Sequence, residues 1–423
     1  MDITEAIEYI NQTAWQGSRL GLERMEILLG LIWNPERKLK YIHIAGTNGK
    51  GSTAAMLASV LTEAGYKTGL YTSPYIQCFN ERIQINGINI PDDKIIEAVE
   101  HIRGFVDQME DKPTEFELIT VIAFLYFYQC QCDIVVLEVG MGGRLDSTNI
   151  IPVPEVAVIT AIDLDHTREL GNTVEKIAGE KAGIIKNGCD VVLYQQRQSV
   201  FEVIESVCSD KSARLHPVDF NYIEIICSDL NGQCLNFEDF HDIKISLLGE
   251  YQQKNTAVAL KTLEILIKKG WNFTVRGIKE GMKKAKWPGR FEVLTRKPYF
   301  IVDGAHNPNG VRAMADNINA YFKDRKIIFL VGVLKDKDYE AMMRLIMPYG
   351  SKFIVVQPEN SRALSQGELA DYLRNNSNAD VSEADNVETG IKTALNLARE
   401  DEVIIAFGSL YMVGSIRNFF LQD

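Results

Sequence analysis

Short runs of consecutive apolar residues alternate along the chain with longer stretches of helical apolar spacing. Tyr41-Ile42-His43-Ile44-Ala45 reads as a buried strand, followed by a predicted helix over Ser52–Ala64. Further apolar runs predict strands at Lys67–Tyr71, Asp133–Val139, Val156–Ile162 and Asp190–Tyr194. Strands that alternate with helices argue for an α/β domain with a mostly parallel sheet. The texture changes over Leu215–Leu248. There Tyr222–Ile226 and Ile243–Leu247 flank Asn231-Gly232, which predicts a small antiparallel piece. Helical patterning resumes over Asn255–Lys269. Beyond Trp287-Pro288-Gly289-Arg290 the alternation restarts, with strands expected at Tyr299–Val302, Lys326–Val331, Lys352–Val356 and Glu402–Phe407. The expected organisation is a nucleotide-binding domain over 1–295 and a smaller, Rossmann-like α/β domain over 296–423.

Composition narrows the partners. The chain has 423 residues, 46% hydrophobic and 24% charged, as in an ordinary globular protein. Its net charge of −12 opposes nucleic acid and anionic membrane surfaces. Any anionic ligand therefore needs a local site that works against the overall field. Leu118–Tyr128 is the longest apolar stretch and is too short to span a bilayer. The N-terminus lacks a basic segment followed by an apolar run. Seven cysteines at irregular spacing favour free, largely buried thiols over disulfides or zinc. Together these predict a cytoplasmic protein acting on small molecules.

The strand at 41–45 runs into Gly46-Thr47-Asn48-Gly49-Lys50-Gly51-Ser52-Thr53 and then into a helix. Glycines let backbone N–H groups converge on phosphate oxygens, and the helix N-terminus adds positive partial charge. Lys50 is placed to reach the terminal phosphates, and Ser52 or Thr53 to offer a hydroxyl to Mg²⁺. The strict P-loop pattern is not met. Ile44 replaces its first glycine, and Gly51 separates Lys50 from Ser52. Two further strand ends carry polar groups. Glu138 opens Glu138-Val139-Gly140-Met141-Gly142-Gly143-Arg144-Leu145-Asp146-Ser147-Thr148-Asn149, and Asp163-Leu164-Asp165-His166 follows the next strand. Ligands of open α/β sheets gather at such ends. A lone Glu or His is more often structural; two at neighbouring strand ends suggest a shared crevice.

The loop Gly-Thr-Asn-Gly-Lys-Gly-Ser resembles the variant phosphate loop of the Mur ligase superfamily, and within it the folylpolyglutamate synthases. Glu138–Asn149 and Asp303-Gly304-Ala305-His306-Asn307-Pro308 are similar to further motifs of that family. The resemblance implies an ATP-dependent ligase that phosphorylates a folate carboxylate, to be attacked by the amine of L-glutamate. It implies Mg²⁺ held by Ser52, Glu138, His166 and a carbamylated Lys181, with K⁺ as a further candidate cation. Lys50, Lys181 and His166 are then the catalytic candidates. ATP contacts are expected from Gly46–Thr53, Asn255, Arg290 and Asp303. Substrate contacts are expected from Ser73, Arg82, His306 and Ser409. Tyr71–Tyr75, Phe79–Ile83, Thr114–Glu117 and Lys335–Asp338 also look family-like. Asn255, read as the start of its helix, doubles as a candidate N-cap. A monomer is expected. A second reading is a bifunctional enzyme that also makes dihydrofolate from dihydropteroate. A cell-wall Mur ligase, which needs an extra domain ahead of the loop, and a nucleotide-sensing module without ligase activity fit less well.

Overall fold

The computed structural model describes residues 1–12 and 19–421. Two large sheets organise it. The first has eight strands: β1 (Tyr41–Ala45), β2 (Thr68–Tyr71), β3 (Ile83–Ile85), β4 (Ile88–Asn89), β5 (Ile134–Glu138), β6 (Val156–Ile159), β7 (Asp190–Leu193) and β8 (Arg214–Pro217). Their spatial order is β4-β3-β2-β5-β1-β6-β7-β8, and only the β2–β3 and β3–β4 pairings are antiparallel. β1, β5, β6 and β7 are buried throughout, as their unbroken apolar runs require in a sheet covered on both faces. β1 lies between β5 and β6, so the loops leaving these three strands open side by side. That is the crevice in which open α/β sheets hold ligands.

A three-stranded antiparallel sheet follows, of β9 (Ile223–Asp229), β10 (Gly232–Phe237) and β11 (Phe240–Ile245). The change of texture expected from Leu215 is therefore split. Residues 214–217 still pair in parallel with β7, and the antiparallel piece begins at Ile223. The last sheet contains β12 (Glu292–Arg296), β13 (Tyr299–Val302), β14 (Ile327–Val331), β15 (Gly350–Val355), β16 (Asp380–Glu383) and β17 (Val403–Phe407). Its order is β12-β13-β17-β14-β15-β16, parallel except for the β12–β13 hairpin. No helix among the described residues is long and apolar enough to cross a membrane. Cys132, Cys189, Cys208 and Cys234 are buried free thiols, whereas Cys78 and Cys227 are exposed.

The apolar run at 118–128 belongs to the helix Glu115–Gln129, which is capped by Thr114 and Glu117 in a reciprocal capping box. Glu117 is 1% exposed and also receives Arg24 Nε at 3.0 Å. Removing one member of a buried ion pair strands the other charge in a poor solvent. Glu117→Ala is expected to cost about 3–5 kcal/mol, measured by denaturant unfolding.

Candidate active site

The Lys50–Glu63 helix starts directly behind β1, and residues 46–49 wrap its N-terminus. Two glycines there cannot be replaced without collision. A Cβ on Gly46 would lie 1.8 Å from Thr160 Oγ1. Gly49 has φ +89°, and its Cβ would lie 2.5 Å from Asn255 Oδ1. The backbone at Gly49 also disfavours any L side chain. Gly49→Ala is expected to raise the KM for ATP by about tenfold or more in steady-state kinetics, because the loop must shift off Asn255.

Lys50 curls over this loop. Its Nζ donates to the carbonyls of Gly46 at 3.1 Å and Thr47 at 3.3 Å, and lies 4.0 Å from Glu138 Oε1. Glu138, the last residue of β5, is 4% exposed. Burial pushes its carboxyl up to about 7, against the opposing pull of Lys50. Its other polar partner is the Ser73 N–H, at a long 3.4 Å. Lys181 ends the helix Val174–Lys181 and is 4% exposed. Its Nζ donates to Gly46 O at 2.7 Å, which ties this helix to the phosphate loop. Burial, reinforced by the nearby Lys50 charge, lowers the Lys181 amine to about 7. A substantial neutral fraction is therefore present near neutrality. Asp146 is buried nearby, accepting from Met141 N and Thr148 N.

One cavity of about 610 Å³ gathers these groups. Gly46–Ser52, Glu138, His166 and Lys181 line it from the first sheet, and Arg290, Asp303 and His306 from the second. Ser73, Arg82 and Asn255 also face it. Asp303 accepts from the N–H groups of Phe291 and Ala305, and burial holds its carboxyl up at about 6. Burial lowers His306 to about 4, so its imidazole is neutral at physiological pH; Nδ1 lies 2.7 Å from Gly304 O. His166 has φ +48° and precedes the short helix Thr167–Leu170. Its backbone N–H donates to Asp165 Oδ1 at 2.9 Å, so Asp165 fixes the His166 main chain. Asp165 also lies 3.9 Å from Lys337 Nζ, a contact from the Lys335–Asp338 string.

Three expected residues are placed differently. Thr53 is fully buried and lies outside the cavity wall: one step along a helix turns a side chain by about 100°, so Ser52 faces the cavity and Thr53 the core. Ser52 Oγ accepts from Gln252 Nε2 at 3.1 Å. Ser409 is 2% exposed and also lies off the wall; its Oγ accepts from Tyr411 N, and the neighbouring Leu410 reaches the cavity instead. Asn255 is no N-cap. Its helix begins at Glu250, with Gly249 in the cap position, and Asn255 is buried inside it against Gly49. The cavity also includes Trp287, Tyr194, Tyr251, Asp146 and Asn309, to which the sequence assigned no role. Asn309 Oδ1 accepts from Asn48 Nδ2 at 3.0 Å, while Asn309 Nδ2 donates to Asp163 Oδ2 at 2.7 Å, linking the second sheet's domain to the phosphate loop.

The Mur ligase middle domain model matches residues 44–263, and the Mur ligase glutamate ligase domain model matches residues 289–410. The dihydrofolate synthase/folylpolyglutamate synthase of Bacillus subtilis (strain 168) is 36% identical over 417 residues, 95% of each chain. The folylpolyglutamate synthase of Lacticaseibacillus casei is 35% identical, covering 100% of this chain and 99% of its own. The chain belongs to the folylpolyglutamate synthase/dihydrofolate synthase family of Mur ligases. It is an ATP-dependent ligase. The Mycobacterium tuberculosis folylpolyglutamate synthase complexed with ADP and AMPPCP superposes with a TM-score of 0.91 at 31% identity, over 100% of both chains. The fold expected from the sequence is thus that of the family.

Proposed function

We propose that the chain joins L-glutamate to the carboxylate of a reduced folate or its growing polyglutamate tail. The observation that carries this reading is the cavity shared by the phosphate loop, the buried Glu138 and Lys181, and Arg290 and Asp303 of the second sheet. The γ-phosphoryl group passes to the folate carboxylate, the glutamate amine attacks the acyl phosphate, and phosphate leaves with one carboxylate oxygen. Lys50 and Arg290 supply fixed positive charge where the transferred group gains negative charge. Enclosure between two sheets keeps water from the acyl phosphate. Ser73, Arg82 and His306 line the same space and are assigned to the acceptor and glutamate.

Mg²⁺ fits these residues. Among the described residues no three His, Cys, Asp or Glu side chains converge on one point. Glu138 and His166 are the conventional ligands available, and Ser52 lines the same cavity. Glu138 is a buried carboxylate with weak protein partners, a group that a hard cation would satisfy. Carbamylation of the neutral Lys181 amine by CO₂, with loss of a proton, would add a second anionic oxygen donor. When bound, the metal would neutralise charge on the phosphates.

The name carried by the Bacillus subtilis relative favours a second reading, in which the same site also accepts dihydropteroate. Glutamate incorporation with dihydropteroate as sole acceptor tests it. Product confirms the bifunctional reading; none, with tetrahydrofolate active in parallel, restricts the enzyme to folates. We assign a cytoplasmic monomer as the working unit, divided ahead of β12 (Glu292–Arg296), a few residues before the 295 expected from the sequence.

A further inference from the structure

Gly51 is the extra residue between Lys50 and Ser52, and its surroundings show what it accommodates. It lies in the Lys50–Glu63 helix, where the backbone suits any L residue and a side chain would ordinarily favour the helix. A Cβ at this position would nevertheless lie 2.3 Å from Cζ2, 2.6 Å from Cε2 and 2.9 Å from Nε1 of Trp287. These are atoms of a rigid indole, unlike a flexible chain end that could swing aside. The indole forbids a side chain at 51, and the missing side chain lets the indole rest on the helix start.

Trp287 is half-buried, packs on the core beneath the helix and lines the cavity. It also opens the segment that carries Arg290. Pro288 restricts the backbone that follows it, and Gly289 O accepts from Gly304 N at 2.7 Å and from Arg290 Nη1 at 3.2 Å. A chain of close contacts thus runs from the phosphate loop through Trp287 to Arg290 and the β13 end.

We propose that Trp287 is a positioning residue for ATP: seated on Gly51, its indole fixes the phosphate-binding helix relative to Arg290, so that both act on one nucleotide. The proposal rests on reading the loop as the ATP site, and the experiment separates the two. In the full-length protein, Trp287→Ala is expected to raise the KM for ATP by about tenfold while the KM for glutamate stays within about twofold. Trp287→Phe, which keeps a flat ring, is expected to recover most of the loss. Gly51→Ala should weaken ADP binding by about tenfold in the natural chain. Added to Trp287→Ala, it should cost less than about threefold, because the colliding ring is gone. An equal penalty in both backgrounds, or an unchanged KM for ATP in Trp287→Ala, overturns the proposal. Should Trp287→Ala fail to fold, tryptophan emission decides. ADP should change the emission of the natural protein, and that change should vanish in Trp287→Phe; its persistence there overturns the proposal. A natural protein that binds no ADP at all would overturn the ATP-site reading, and this proposal with it.

Discussion

Replacing Lys181 with alanine is expected to lower kcat by about 10²–10³-fold while the protein stays folded. The amine is buried, bonded to Gly46 O, and held near 7 by burial and by Lys50. An unfolded chain would keep this amine protonated at neutral pH. Holding it in the native site therefore works against stability, and its removal should not lower the melting temperature. The loss falls on catalysis. Without the amine no carbamate can form, and the phosphate loop loses a tie at Gly46. Kinetics and thermal unfolding of the same preparation separate these effects. Full activity in the variant would remove the carbamate from the mechanism. Loss of activity together with loss of fold would assign Lys181 a structural role.

Glu138→Gln is the second large effect expected. The amide keeps the volume of the side chain and removes the negative charge. The kcat should fall by about 10²–10³-fold and the Mg²⁺ concentration needed for half-maximal rate should rise. ADP affinity measured without metal should hold within about twofold, since Glu138 accepts no phosphate contact. An unaltered Mg²⁺ dependence would exclude Glu138 as a ligand.

These residues were legible in the sequence to different degrees, for physical reasons. Glu138 and the phosphate loop stand at the ends of continuous apolar runs, so a strand reading alone places them at the carboxyl ends of the sheet's strands. Lys181 is different. The helix Val174–Lys181 is polar enough to read as a solvated surface helix, and only its docking against Gly46 buries the amine; family resemblance, not pattern, singled it out. Thr53 and Ser409 show the limit of reading motifs as strings. Each sits one residue from a cavity-lining neighbour, and helix phase or a local N–H bond turns it away. Asn255 reads as a helix start because Asn ahead of an apolar helix is a good cap. In the structure the polar turn Glu250–Lys254 already belongs to that helix, where Gln252 bonds Ser52 and Asn255 fills the space left by Gly49. The contact between Trp287 and Gly51 spans more than half the chain, and no local pattern encodes it.

Oxygen-18 in the folate carboxylate tests the central claim most directly. With ATP, Mg²⁺, L-glutamate and labelled tetrahydrofolate, the expected result is one labelled oxygen in each inorganic phosphate released, formed in step with the glutamylated product. Unlabelled phosphate, or label recovered in AMP, would contradict transfer of the γ-phosphoryl group to the folate carboxylate.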